Sequence, residues 1–108
     1  MSTYKYPVRL LSTVEQDLQS LLSYVAADNV TAALSLTDRI ERKLTALGTH
    51  PRLGRIPNDE QLAKLDYRVV VVDNYSIFYK ILDKSVLVYR MIHGARDVPG
   101  LLMDLGQN

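Results

Sequence analysis

Residues 67–99 read YRVVVVDNYSIFYKILDKSVLVYRMIHGARDVP. Three β-rich runs lie almost back to back, and the breaks between them are short and polar. Residues 67–72 are β-branched and nearly continuous, the pattern of a strand buried on both faces or central in a sheet. Asp73 and Asn74 give a tight hairpin signal. From there the chain alternates. Tyr75, Ile77, Tyr79 and Ile81 fall on one face and Ser76, Phe78 and Lys80 on the other, as a strand's period of two requires. A second break at Asp83, Lys84 and Ser85 leads to a final strand over residues 86–92, which runs into His93, Arg96 and Asp97.

Upstream of this block the period changes from two to three and four. Val14, Leu18, Leu21, Leu22 and Val25 recur at helical spacing, with Glu15, Gln16, Gln19 and Ser23 opposite, which predicts an amphipathic helix of roughly four turns. Ser12 and Glu15 have capping-box spacing at its start. Asp28 and Asn29 break it and can cap the next helix, where Ala33, Leu36, Ile40, Leu44 and Leu47 run to Gly48. Gly48 reads as the residue just past the helix end, and Pro51 stops any continuation. So short a break favours an antiparallel helical hairpin. Residues 4–11, YKYPVRLL, read as a first strand that begins after Pro7 or lies at an edge there. Residues 49–66 connect the halves. Their length predicts either a functional loop or a short helical turn around residues 60–65. The expected fold class is α+β in the order βααβββ, a twisted antiparallel sheet packed against an N-terminal helical hairpin.

A chain of 108 residues is one domain, and it is long enough to bury a core without staples. Cysteine is absent, which excludes disulfide and thiolate chemistry and fits a reducing cytoplasm. No apolar run has the length of a membrane helix, and the N-terminus lacks the apolar core of a signal peptide. A net charge of +1 is too balanced to argue for nucleic acid from bulk electrostatics. With two histidines and no cysteine there is no metal-ligand cluster, and Gly54 stands alone rather than in a phosphate-binding loop. No cofactor and no membrane partner are expected.

Several segments, taken in order, resemble the RelE/ParE toxins of bacterial type II toxin-antitoxin systems. Leu47, Pro51, Gly54 and Arg55 are similar to that family's L-x-x-x-P-x-x-G-R stretch. Tyr67 and Arg68 resemble its Y-R strand. Tyr75, Ile77 and Tyr79 match its Y-x-I-x-Y strand, and Arg90, His93, Arg96 and Asp97 form its closing R-x-x-H-x-x-R-D. The resemblance spans nearly the whole chain and is closer to the ParE branch. It implies a plasmid-stabilisation toxin that inhibits DNA gyrase and is neutralised by a cognate antitoxin. The antitoxin would fold onto exposed apolar surface of the hairpin, with Leu21, Val25, Leu36 and Leu44 as candidate contacts, and onto a sheet edge. The isolated chain is then expected to aggregate or form a homodimer.

The RelE branch implies instead a ribosome-dependent endoribonuclease acting on mRNA, with His93, Arg96 and Arg68 as its working groups and Arg52 and Arg55 on ribosomal RNA. The chain departs from that pattern. Ser76 stands where the nucleases place a key arginine, the preceding strand has only Arg68 as a cation, and the C-terminal LLM at residues 101–103 offers no tyrosine.

Each candidate also has a structural reading. His93 has the pKa range of an acid or base, or it orders the turn after the strand. Arg96 and Asp97 contact a target or pair with each other. Arg52 and Arg55 form a target-binding basic loop or a solvated linker. Arg68 and Arg90 emerge on the sheet's open face or pair with Asp66 or Asp83. Arg90 has only apolar strand neighbours, which makes its charge costly unless it is paired or at a surface, so it leads the target-binding candidates. Tyr75, Tyr79 and Tyr89 read mainly as core or sheet-face aromatics, with base stacking as the minority reading.

Overall fold

The computed structural model describes residues 5–94. Strand β1 (Val8–Leu10) is followed by helices α1 (Ser12–Asp28) and α2 (Val30–Thr49), a short α3 (Glu60–Lys64), and strands β2 (Arg68–Val72), β3 (Tyr75–Leu82) and β4 (Ser85–His93). The sheet order is β1-β4-β3-β2. The β2–β3 and β3–β4 pairs are antiparallel hairpins, and β1 runs parallel to β4, with Val8 opposite Val86. The sheet is therefore mixed rather than wholly antiparallel. Three helices and two strands separate β1 from β4, and a long connection is what parallel pairing requires. As expected, β1 begins after Pro7, whose carbonyl accepts from the Val86 N–H at 2.9 Å.

Both hairpins turn in two residues, and both place an aspartate at positive φ, Asp73 at 54° and Asp83 at 57°. Aspartate tolerates that left-handed backbone better than most residues, so its recurrence sets the tight turns.

The sheet buries side chains on both faces. Under the helical hairpin, Ile77, Tyr79, Val86, Val88 and Met91 meet Val14, Leu36, Ile40 and Leu47, with Tyr75 and Ile81 half-buried beside them. This is the face assigned from the alternation of β3. On the opposite face Tyr67, Val69, Phe78, Tyr89 and Ile92 pack with Leu62 of α3. The long connection thus supplies a helical turn that covers the second face.

Four local expectations are corrected. The first concerns the start of α1, where Leu11 rather than Ser12 is the N-cap and no side chain caps it. Leu11 gives its N–H to Val88 and its carbonyl to Val14 and Glu15, so strand passes to helix in a single residue and leaves no room for a capping box. The second concerns Gly48, which lies inside α2 with His50 as C-cap. A Cβ there would stand 2.8 Å from the Tyr6 carbonyl oxygen. The glycine serves a close approach, and the Tyr6 N–H donates to the Gly48 carbonyl at 2.8 Å. The third concerns β2, which is an edge strand rather than a central one, with Val71 47% exposed. Val69, Val70 and Val72 are buried by packing on the two faces, the other reading the apolar run offered, so the run reported burial and not position in the sheet. The last concerns Leu36, which is fully buried because its helical stripe faces the sheet. Asn29 caps α2 as expected, accepting from the Ala32 N–H at 3.0 Å.

Gly48→Ala should destabilise the fold. Alanine in a free helix would gain about 1 kcal/mol over glycine, but the clash with Tyr6 outweighs it, for a net loss of about 1–2 kcal/mol in urea unfolding.

Candidate functional site

The sequence candidates scatter over the fold. Arg68 is half-buried and donates from Nη1 to the Gly54 carbonyl at 2.8 Å. It works with Tyr79, whose hydroxyl donates to the Pro51 carbonyl at 2.6 Å and accepts from the Gly54 N–H at 2.9 Å. Burial raises the Tyr79 phenol above its ordinary pKa, against the Gly54 N–H and the Arg68 charge, which lower it. A Cβ on Gly54 would lie 2.6 Å from the Tyr79 hydroxyl, so only glycine lets the loop come this close. Arg68 and Tyr79 therefore clamp the basic loop to the sheet, and neither Asp66 nor Asp83 is needed. Arg55, the next residue, pairs through its backbone with Val69 at the edge of β2.

Arg90 is held by α1. In β4, Phe78 lies opposite Arg90 while Tyr79 lies opposite Val88, so Tyr89 is the extra residue of a bulge. A bulge re-aims the side chains beside it. The Arg90 Nε donates to Asp17 at 2.9 Å, and the same carboxylate accepts the Met91 N–H at 3.2 Å. Both side chains are largely buried, at 22% and 21% exposure. The Arg90 charge is therefore paired with Asp17, a residue the sequence analysis passed over, and not with the expected Asp66 or Asp83. The available signal was an acid within the apolar stripe of α1 and a lone arginine within an apolar strand, each of which needs a partner.

His93 is exposed at the end of β4, its ring 5.1 Å from that of Tyr75. With Asp17, Ser20, Leu21, Tyr24 and Met91 these two rings line a cavity of about 480 Å3. Arg68 stands four residues away along β3 and two strands across, roughly 16 Å from His93 between backbones. The trio His93, Arg68 and Arg96 is thus not assembled from its described members, and Arg96 and Asp97 lie outside the described residues. Arg52 is exposed beside a cavity of about 610 Å3 that is lined also by Tyr6, His50, Pro51, Leu53 and Ile81.

The sheet face away from the hairpin is largely apolar. A cavity of about 160 Å3 is bounded by Val69, Phe78, Ile92 and Leu62, with Arg55, Asn58, Asp59 and Ser76 among its other lining residues. The Tyr67 and Tyr89 rings meet edge to face at 5.1 Å, and the Lys80 Nζ sits 4.4 Å above the first. Tyr89 is buried, which fits the core reading rather than base stacking. Burial, helped by Tyr89, pushes the Tyr67 phenol up to about 12. No group of side chains able to hold a metal ion occurs among the described residues, and no helix there is long and apolar enough to cross a membrane.

The proposed antitoxin contacts Leu21, Val25 and Leu44 pack half-buried against the core, like the buried Leu36. The exposed apolar side chains of the hairpin are instead Tyr24, Val30 and Leu34, at 80%, 62% and 68% exposure. They lie outside the helical stripe, which is the signal that separates a surface apolar residue from a core one.

A profile of the ParE toxin of type II toxin-antitoxin systems matches residues 8–98. The chain belongs to the ParE toxin family. Two solved structures share the fold of this ParE-family chain. One is from a chromosomal ParDE toxin-antitoxin system of P. aeruginosa, with a TM-score of 0.68 at 14% identity over 84% of this chain and 98% of that one. The other is from the RelBE2 toxin-antitoxin complex of Mycobacterium tuberculosis, with a TM-score of 0.56 at 25% identity over 87% of this chain and 97% of that one. Among curated proteins none matches.

Asp17→Ala should cost about 2 kcal/mol in denaturant unfolding, because it removes the carboxylate that holds both the half-buried Arg90 guanidinium and the Met91 N–H. Alkaline stability provides a second check. The Tyr67 phenol ionises near pH 10 when unfolded and near 12 when folded. Its stabilising contribution is complete below pH 10 and is lost as pH rises towards 12. Tyr67→Phe should therefore flatten the loss of melting temperature across that window, and an unchanged slope would contradict the assignment.

Proposed function

We propose that this ParE-family toxin acts by binding a protein target, DNA gyrase, and that a cognate antitoxin neutralises it. The observation that carries this reading is the use of the chain's arginines. Arg68, a working group of the nuclease reading, holds the Gly54 carbonyl, so that cation is committed to the fold. Messenger RNA cleavage needs cations gathered around a phosphate and a positioned acid or base. Here Ser76 and the apolar floor of Val69, Phe78 and Ile92 occupy the face on which such groups would gather.

Among the described residues, the target-binding candidates that are exposed are Arg52 and Arg55, on a loop held by Tyr79. A clamped loop loses little entropy on docking, which favours its use as a recognition element. Antitoxin complexes described for the RelBE2 neighbour, together with the exposed Tyr24, Val30 and Leu34, support the second half of the proposal.

Induction of this chain alone in a bacterial host, followed by pulse labelling, tests the reading. DNA synthesis should fall before protein synthesis, and purified toxin should inhibit gyrase in a supercoiling assay. Arg52→Glu with Arg55→Glu should abolish that inhibition while leaving the melting temperature within about 2 °C. Early arrest of translation with codon-positioned mRNA cuts would overturn it in favour of an endoribonuclease.

A further inference from the structure

The connection that leaves α2 is fastened to the sheet by its backbone and turns its larger side chains outward. The Leu53 N–H donates to the His50 carbonyl at 3.0 Å, which closes a first turn. The overlapping residues 51–54 are closed differently. A four-residue turn ordinarily joins its last N–H to its first carbonyl directly. Here the Tyr79 hydroxyl stands between the two, accepting from the Gly54 N–H at 2.9 Å and donating to the Pro51 carbonyl at 2.6 Å. Arg68 takes the Gly54 carbonyl, and Arg55 exchanges both backbone hydrogen bonds with Val69, at 3.0 and 2.9 Å.

This fastened segment shows solvent a repeated pair. Arg52 and Arg55 are exposed, and each is followed by an exposed aliphatic residue, Leu53 at 49% and Ile56 at 59%. Residues 49–58 contain no acid. Asp59, the next acid along the chain, is turned to α3, where its carboxylate accepts the Leu62 N–H at 3.0 Å. Neither arginine has an ion-pair partner among the described residues. Arginine beside apolar surface is the composition of a protein interface, in which the guanidinium supplies a fork for a carboxylate and the aliphatic groups supply area removed from water. A phosphate backbone would use the arginines and gain nothing from Leu53 and Ile56.

We propose that residues 52–56 form one recognition element for an acidic protein surface with an apolar recess. Leu53 and Ile56 are contacts alongside the two arginines, and Tyr79 is the positioning residue that sets the spacing of the pairs. The inference rests on the protein-target reading above and gives that target's surface its chemistry. Without the hydroxyl, the Pro51 carbonyl and the Gly54 N–H are left to bond each other directly. That draws the turn in and moves Arg52 relative to Arg55, while the fully buried ring stays in the core.

The test compares the full wild-type chain with Tyr79→Phe and with Leu53→Ser combined with Ile56→Ser. Growth arrest on induction at equal soluble expression, which assumes no target, is read beside inhibition of purified gyrase. Both variants should need about tenfold more toxin for the same effect and should keep full affinity for the antitoxin encoded beside the toxin. Trypsin reads the positioning directly. Cutting after Arg52 and Arg55, followed by mass spectrometry, should be roughly tenfold faster in Tyr79→Phe than in wild type, with other sites unchanged. Potency that survives the Leu53 and Ile56 changes but falls with Arg52→Glu and Arg55→Glu would reveal a purely electrostatic contact and overturn the element. Unchanged cutting and potency in Tyr79→Phe overturn the positioning role, and lost antitoxin binding in either variant assigns the segment to the antitoxin instead. Should Tyr79→Phe fail to fold, the Leu53 and Ile56 changes decide. A wild type that arrests growth without inhibiting gyrase sinks the gyrase reading alone, and the variants still decide the element. A wild type with neither activity sinks both.

Discussion

The outward backbone groups of β4 need partners along its whole length, and most of the molecule is arranged to supply them. β1 serves the first part, residues 86–88. Where β1 ends the chain turns immediately into α1, and the helix takes over. The Leu11 N–H meets the Val88 carbonyl, the Thr13 hydroxyl meets the Tyr89 carbonyl at 3.3 Å, and the Asp17 carboxylate meets the Met91 N–H. A helix cannot extend a β-ladder, so side chains do what backbone did one residue earlier. This fixes the angle and height of α1, and α2 follows through the one-residue cap at Asn29. Arg90 then balances the carboxylate that the unpaired N–H drew in.

That arrangement frees the other sheet face for a second, smaller core. A four-stranded sheet covered on one side would leave Tyr67, Phe78 and Tyr89 in water. The connection between α2 and β2 prevents this by folding Leu62 of α3 over them, while its earlier half is fastened by Tyr79 and Arg68. The same segment thus closes a core, guards half of an edge and presents two exposed arginines. Its length is explained by three tasks.

The elements were legible in the sequence because each carries a strong period. The helices show the three-and-four spacing of their leucines, β3 shows alternation, and Asp73 and Asp83 mark the turns. The faces of β3 were legible for the same reason. What escaped was non-local. The pairing of β1 with β4, the position of β2 at the edge, and the Asp17–Arg90 pair all depend on which distant segments meet. No window of one strand or helix encodes that. Gly48 was misread because glycine past a helix end and glycine under a crossing chain look alike in sequence. Among the site candidates, Arg68 and Arg90 could be flagged only as charges in need of company. Whether the partner is a ligand or the protein itself is settled by tertiary placement.

The parallel pairing of the first strand with the last also bears on how the chain is made. Contacts between such distant segments carry the largest loop-closure cost and tend to form late. During synthesis β1 and the helical hairpin are made before Ser85–His93 exists to receive them. Until then the leucines of α1 and α2 have no sheet to cover, and Asp17 has no strand amide to bind. The surfaces that define the folded toxin come into being only once translation has passed β4.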